Sequence, residues 1–178
     1  DDGFEYFAFL SHFQENSQDQ CSALALQFKL RGYSVWYDQN ATNLSADGMK
    51  EGVAQSKCFI LFLNDRVLER PWVQLEVREA LRLHKPIVLI HETDGRHGAP
   101  LRDGGSFDFA RVLGAQAPPD LQGLAADIES IPFQRRNELV EAMFKMIFTS
   151  CELASDLAAK RRAAAETAAA AIVFRLAE

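Results

Sequence analysis

Short apolar runs that alternate with amphipathic segments constrain the fold of this chain more than any other feature. The runs at 4–10, 33–37, 58–63 and 86–90 are five to seven residues long and largely apolar. Strands that are buried on both faces have this pattern, and the segments between them carry apolar residues at helical spacing. The alternation predicts an α/β fold with a parallel sheet, helices on both faces and a weaker fifth strand at 128–133.

Residues that favour helix ends support this assignment. Gly32 follows an apolar helical face and is typical of the position just after a helix. Ser45 is a suitable N-cap for the next helix, with Met49 facing inward. Pro71 suits the first turn of a third helix, because its missing N–H would have no partner there. A fourth helix is predicted over 135–148, and the residues expected to face the sheet are Leu139, Val140, Met143 and Ile147.

Two segments lie outside this rhythm. Glycines and prolines interrupt 91–127, so we expect a functional or mobile connection, with a short helix around 107–113. The alanine-rich segment 152–178 has no strand signal and should be helical. It would pack on a partner copy or on a neighbouring domain, or project into solvent. We therefore divide the chain into a domain at 1–150 and a C-terminal helix or connector at 151–178.

Charge and composition exclude several classes of protein. The formal charge of −6 and the pI near 5.3 argue against a nucleic-acid surface, which needs a basic face. No apolar run is long enough for a membrane span, and the start of the chain has neither a signal-peptide pattern nor an initiator Met. We expect a domain of a longer cytoplasmic protein. Its three cysteines should be reduced core residues, and none has the close ligand spacing of a zinc site.

The start of the third helix is where we expect the chemistry. Trp72 and Glu76 are four residues apart and share one stripe, while Val73, Val77 and Leu81 belong to the apolar stripe that should face the sheet. Glu76 would then lie at the edge of the core, beside an indole and close to the strand ends. A reactive acid fits this position, and so does an ordinary solvated helix carboxylate.

Other classes of protein with such a sheet can be tested against the residues at the strand ends, where their ligands bind. A phosphoacceptor receiver needs acids after the first strand and an aspartate after the third, but the chain has Ser11-His12 and Asn64. The residues after Ser11 do not form the hydroxyl-rich phosphate loop of a flavodoxin. No dinucleotide-binding or P-loop glycine motif occurs, which argues against a conventional dehydrogenase or NTPase.

Four segments, taken together and in order, resemble the Toll/interleukin-1 receptor (TIR) domain family. They are Phe7-Ala8-Phe9-Leu10-Ser11-His12, the stretch from Gly32 to Asp38, the run from Ser56 to Leu63, and Pro71-Trp72-Val73-Gln74-Leu75-Glu76. The resemblance covers about 4–150, with 91–127 poorly matched. It implies a flavodoxin-like sheet of five parallel strands, in agreement with the pattern above.

The resemblance also implies a choice between two functions. Some members of the family cleave NAD⁺ to nicotinamide and ADP-ribose or a cyclic ADP-ribose in signalling or defence, with activation by self-association. Others are scaffolds that act only through TIR–TIR contacts. In the cleaving class the catalytic glutamate maps onto Glu76, NAD⁺ is the substrate, and no cofactor or metal is required. The nucleotide-contacting positions map onto His12, Phe13, Asp38, Leu44, Ser45 and Met49.

This sequence departs from better-known members at two of those positions, because Ser45 lies where an acid is often found and Phe13 where some members have arginine. One carboxylate suffices chemically, since nicotinamide leaves as a neutral group and needs no protonation. An anion beside the ribose can stabilise the positive charge that develops there. Trp72 has two candidate roles, stacking on the pyridinium and packing at the strand–helix junction. The presence of Glu76 with Trp72 favours the enzyme over the scaffold.

Overall fold

The computed structural model describes residues 3–37, 45–124 and 126–176. Its five strands and four long helices alternate along the chain in the predicted order. The strands are β1 (Tyr6–Ser11), β2 (Val35–Trp36), β3 (Ser56–Leu63), β4 (Ile87–His91) and β5 (Ser130–Pro132). The helices are α1 (Gln14–Leu30), α2 (Ala46–Gln55), α3 (Pro71–Arg82) and α4 (Asn137–Leu176). Shorter helical turns occur at Val67–Glu69, Gly95–His97, Arg111–Ala115 and Pro119–Leu121.

The sheet has the order β2-β1-β3-β4-β5, and all of its neighbouring strands are parallel. The predicted α/β class and the flavodoxin-like sheet are therefore confirmed. Strand β2 lies on one side of β1, and β3, β4 and β5 follow on the other side. The direction in which strands are added to the sheet therefore reverses between β1 and β3. Ligands of open α/β sheets bind beyond the carboxyl ends of the strands at such a reversal.

The strands supply a core on each face of the sheet, as alternating side chains must. Phe9, Phe59 and Leu61 face a cluster that includes residues of α2 and α3. Leu10 and Ile60 face the opposite cluster, which includes residues of α1 and α4. The continuous apolar runs in the sequence thus reflect burial on both faces.

Helix α1 begins at Gln14, well before the apolar face that predicts it. Its first turns carry polar side chains that are nevertheless buried, because they have partners in neighbouring elements. Ser17 accepts a hydrogen bond from Asn64, which follows β3, and Gln20 donates to Glu92, which follows β4. Hydrophobic periodicity cannot detect a helix start whose buried positions are polar.

Other boundaries and faces differ in smaller ways. Leu81 and Leu139 are both more than two-fifths exposed, so the prediction that they face the sheet is wrong. The irregular connection after β4 contains a π-helix at Arg111–Ala115, slightly later than the short helix predicted there. Gly32 has a φ of 82° directly after α1, which supports its predicted role at the helix end.

Helix α4 continues without a break from Asn137 to Leu176, where two separate helices were predicted. Its first turns pack on the sheet through Met143, Phe144 and Ile147. Cys151 on the same helix is buried, and its Sγ lies 2.9 Å from that of Cys58 on β3. The three cysteines are free and buried, as predicted. Within the described residues, no helix has the length and apolar character that crossing a membrane requires.

A close contact between α2 and the edge of the sheet leads to a stability prediction. The indole of Trp36 stacks on Phe9 with ring centroids 4.3 Å apart, and a Cβ at Gly52 would lie 2.6 Å from the Trp36 Nε1. We expect Gly52→Ala to destabilise the protein by about 1–3 kcal/mol through overpacking. Thermal unfolding measures this effect, with Gly114→Ala as the control because its Cβ would meet nothing within 4 Å. Equal melting temperatures for the two variants would contradict the prediction.

Candidate active site

Residues from β1 and α3 meet at the carboxyl edge of the sheet, where the strand order reverses. Ser11 is the last residue of β1, and His12 and Phe13 connect it to α1. Trp72 and Glu76 lie on the first turns of α3, which begins directly after Arg70 with Pro71 in its first turn. The structure thus brings together the first-strand residues and the two residues of α3 that the sequence singled out.

Glu76 is held in place by the end of β1. The buried Ser11 hydroxyl donates a hydrogen bond to Glu76 Oε2 at 2.5 Å. Val73 and Val77 on the neighbouring stripe of α3 are buried against the sheet, whereas Glu76 is only partly buried. The carboxylate therefore has a fixed orientation at the edge of the core. This geometry differs from that of a freely solvated helix carboxylate, because a hydrogen bond to a buried hydroxyl restricts its rotation.

Trp72 lies one helical turn before Glu76, and 46% of its surface is exposed. An indole that only packed a strand–helix junction would be more deeply buried. The exposed part of the ring is available to a ligand that approaches Glu76. A cationic aromatic ring stacked there would gain roughly 0.5–2 kcal/mol.

His12 is buried and neutral at physiological pH. Burial lowers the pKa of the imidazole to about 4, although a hydrogen bond to the Leu10 carbonyl opposes the shift. The ring stacks on Tyr37 with centroids 5.2 Å apart. Its buried Nε2 has no hydrogen-bond partner among the described residues. His12 consequently adds no positive charge to the site at pH 7 and does not supply a proton there.

The lowered pKa of His12 predicts a pH dependence of stability. The unfolded chain binds a proton near pH 6.5 and the folded chain only near pH 4, so the stability present above pH 6.5 decreases as the pH falls. We expect His12 to account for a loss of about 2 kcal/mol between pH 7 and pH 5. Denaturant unfolding of His12→Gln across this range should show a shallower decrease than wild type. Replacement of the exposed His97 is the control, and parallel curves for wild type and His12→Gln would contradict the prediction.

Phe13 carries a cation on its ring. The Arg70 guanidinium lies over Phe13, with Cζ 3.8 Å from the ring centroid. Phe13 is 8% exposed and belongs to the cluster beneath α2 and α3. Some family members have an arginine at the position of Phe13, and in this chain the Arg70 guanidinium places a positive charge next to that position.

The start of α2 holds two more of the predicted residues. Ser45 is the N-cap, as predicted, and its Oγ accepts a hydrogen bond from the Gly48 N–H at 3.1 Å. Met49 is 1% exposed and packs in the same cluster as Phe13. Asp38 and Leu44 lie outside the described residues. The nucleotide contacts assigned to this loop stay predictions.

Comparison with known sequences identifies the family. The profile of the TIR domain family matches residues 8–143, which is most of the chain. This chain belongs to the TIR domain family. Among curated proteins, the TIR domain is similar to the NAD(+) hydrolase TcpA of Theionarchaea archaeon (strain DG-70-1), with 31% identity over 80 residues. That match covers 43% of this chain and 24% of the relative, so the chain spans about a quarter of that protein's length.

Solved structures support the fold of the TIR domain. The TIR domains in the structure of the activated Roq1 resistosome are 12% identical, with a TM-score of 0.56 over 82% of this chain and 99% of that one. The metazoan TIR-STING receptor from C. gigas, in complex with 2′,3′-cGAMP, is 13% identical, with a TM-score of 0.51 over 80% of this chain and 40% of that one. At these identities the similarity shows a common fold.

The structure adds two residues to the candidate site of this TIR domain. Ser11 was recognised as a strand-end residue, but only the tertiary contact shows that it orients Glu76. Nothing in the sequence except its place next to Pro71 indicates that Arg70 belongs to the site, because its contact with Phe13 joins residues far apart in the chain. In the described part of the chain, no three His, Cys, Asp or Glu side chains are grouped as metal ligands would be.

Proposed function

We propose that this TIR domain is an NAD⁺ glycohydrolase that is activated by self-association. It cleaves the bond between nicotinamide and ribose, and a water molecule that loses a proton takes the place of nicotinamide to give ADP-ribose. If a nucleophilic atom of the same nucleotide takes that place instead, the product is a cyclic ADP-ribose. NAD⁺ is its substrate, and no resident cofactor takes part. The observation that carries the proposal is the carboxylate of Glu76, oriented by the Ser11 hydroxyl beside the exposed Trp72 at the reversal of strand order.

One oriented carboxylate is sufficient for this reaction. Departure of nicotinamide leaves positive charge on the ribose ring, as in the transition state of glycoside hydrolysis. A fixed anion next to the ribose stabilises that charge without having to reorganise during the reaction. Nicotinamide needs no proton as it leaves, so the neutral His12 is consistent with this role.

Trp72 supplies the second half of the site. In the proposed complex the pyridinium ring of NAD⁺ stacks on the exposed indole, one helical turn from Glu76. This contact favours the cationic substrate over the neutral product. The attraction weakens when nicotinamide becomes neutral, so Trp72 contributes to the binding of NAD⁺ and to the release of nicotinamide, and the cleavage step itself depends on Glu76.

The similarity to TcpA supports the proposed class of reaction. That relative is named an NAD(+) hydrolase, and its match to this chain extends over 80 residues. The identity is modest and the shared segment short, so the catalytic assignment depends mainly on the geometry of Glu76. Because the chain belongs to the TIR domain family, the site around Glu76 is where the proposed activity should be tested.

Self-association is the second part of the proposal. Ser45, Ala46 and Asp47 at the start of α2 are exposed, and the residues before them lie outside the described part. Contacts between copies on this side of the site would position the ribose against Glu76 and limit the water that reaches its anomeric carbon. The activated Roq1 resistosome contains TIR domains of the same fold, which supports a role for assembly.

Incubation of the purified domain with NAD⁺ over a wide range of protein concentrations tests both parts. We expect nicotinamide release, followed by chromatography, with a specific activity that rises as the protein concentration rises. Light scattering on the same samples should show association over that range. The nucleotide product distinguishes hydrolysis from cyclisation.

Two outcomes would contradict the proposal in different ways. Specific activity that stays constant in samples of increasing association would reject activation by assembly and leave Glu76 unaffected. Absence of nicotinamide release from folded, associated protein would reject the enzyme and favour a TIR scaffold that acts only through contacts between copies.

A further inference from the structure

Among the described residues between positions 31 and 135, Arg70 is the one arginine that lacks an acidic partner. Within the described residues, every other arginine from Arg31 to Arg135 forms an ion pair with an aspartate or glutamate. Arg70 instead lies over the Phe13 ring, and its buried Nε has no hydrogen-bond partner among the described residues. A buried donor without a partner is costly unless a ligand satisfies it.

The position of Arg70 relates it to Glu76. The two residues are six apart on α3, which corresponds to about 9 Å along the helix axis. Both contact the end of β1, where Ser11 bonds Glu76 and Phe13 lies two residues later under Arg70. Arg70 is therefore placed at one end of the site and the carboxylate at the other.

The orientation of the guanidinium suits an anion. Stacking on Phe13 occupies one face of the group, and a planar guanidinium donates its hydrogen bonds within its own plane, where two of them can be parallel. Phosphate oxygens accept such pairs well, and a stacked guanidinium loses little freedom when it binds. The adjacent start of α3 has no side-chain cap, so it adds the partial positive charge of a helix N-terminus.

The charge of the protein makes a local cation necessary for a phosphate-bearing substrate. The chain carries a formal charge of −6, and Glu76 adds a negative charge within the site itself. A pyrophosphate would be repelled from this surface unless a cation lay next to it. Among the arginines from Arg31 to Arg135, and as far as the described residues go, only Arg70 is not already paired with a carboxylate.

We propose that Arg70 binds the pyrophosphate of the dinucleotide substrate and so selects NAD⁺ over the corresponding nucleoside. The proposal rests on the proposed function, because it places the ribose next to Glu76 and the phosphates toward the start of α3. Phe13 acts as the platform that keeps the guanidinium flat. Arg70 is thus a substrate-binding residue and takes no part in bond cleavage.

The kinetic test compares two substrates that share the reacting bond. Arg70→Ala should lower kcat/KM for NAD⁺ by about 10- to 100-fold, mainly through KM, since a charged hydrogen-bonding partner is lost. Its kcat/KM for nicotinamide riboside, which has no phosphate, should stay within a factor of about two. Arg66→Ala is the matched control, because Arg66 is exposed and already paired with Glu69.

A binding test is independent of turnover. Wild-type protein should bind ADP-ribose more tightly than adenosine by calorimetry, and Arg70→Ala should remove most of that difference while Arg66→Ala keeps it. Arg70→Lys should retain part of it, since the charge remains without the planar fork. If wild type binds ADP-ribose in this way but releases no nicotinamide, the proposed function fails and the role of Arg70 stands.

Several results would overturn the role of Arg70. One is that wild-type protein binds ADP-ribose no more tightly than adenosine. Another is that Arg70→Ala lowers kcat/KM equally for NAD⁺ and for nicotinamide riboside. A third is that Arg66→Ala lowers kcat/KM for NAD⁺ as much as Arg70→Ala does. Melting temperatures of all variants are measured alongside. If Arg70→Ala does not fold, Arg70→Lys decides the question, and an unchanged preference in that variant counts against the proposal.

Discussion

Replacement of Glu76 by glutamine is expected to reduce nicotinamide release by about 100- to 1000-fold, the range observed when one electrostatic group of a transition state is removed. Glutamine has nearly the same shape and can still accept the hydrogen bond from Ser11, so the fold should be retained. In the proposed mechanism, the negative charge that this substitution removes stabilises the cationic ribose. The decrease should appear in kcat, because the interaction strengthens only as charge develops.

The experiment needs a control for charge and a check of the fold. Glu51→Gln removes an equal charge from an exposed position on α2 and should leave nicotinamide release unchanged. Thermal unfolding of Glu76→Gln should match that of wild type within the error of the measurement. Substantial turnover in folded Glu76→Gln would remove the catalytic role from this residue.

The second large effect concerns stability and lies at the carboxyl end of β4. Glu92 is 0% exposed, and its carboxylate accepts two hydrogen bonds from Arg135, at 2.8 and 2.7 Å. Gln20 and the backbone N–H groups of Thr93 and Asp94 donate to the same carboxylate. Burial alone would raise the pKa of Glu92, but these donors hold it below its ordinary value.

Arg135→Met is expected to lower the free energy of unfolding by about 3 kcal/mol at pH 7, because it leaves a buried carboxylate without its cation. The Arg135 side chain is 37% exposed, so solvent weakens its interaction with Glu92. The expected loss of unfolding free energy is therefore at the lower end of the range for buried ion pairs. Denaturant unfolding measures the change, with Arg136→Met as the control on the neighbouring exposed arginine.

The pH dependence of this variant follows from the same carboxylate. Since the pKa of Glu92 is lowered in the folded protein, its contribution is present above about pH 4.5 and is lost as the pH falls below that value. The difference between wild type and Arg135→Met should therefore shrink in acid. Combining Arg135→Met with Glu92→Gln should recover part of the stability at pH 7, and a double variant no better than Arg135→Met would contradict the explanation.

The architecture could be derived from the sequence because it depends on local pattern. The apolar runs at 58–63 and 86–90 mark strands that are buried on both faces, and the alternation with helices leaves a parallel sheet as the consistent arrangement. Ser45 as an N-cap and Gly32 after α1 follow from local backbone chemistry, and both are found where predicted.

Boundaries were less predictable where polar residues are buried. The start of α1 was missed because Ser17 and Gln20 occupy core positions through hydrogen bonds to distant residues. Leu81 is assigned to the core by its spacing, but 41% of its surface is exposed in the structure. Periodicity records hydrophobicity along one element and contains no information about the extent of its neighbours.

For the site, the sequence by itself determined that Trp72 and Glu76 share one stripe of a helix close to the strand ends, since that follows from helical geometry. Only the tertiary structure decided that Ser11 orients the carboxylate and that Arg70 lies over Phe13 with no acidic partner among the described residues. Those contacts join residues 65 and 57 positions apart in the chain. They depend on the order in which the strands are arranged in the sheet, which no local pattern records.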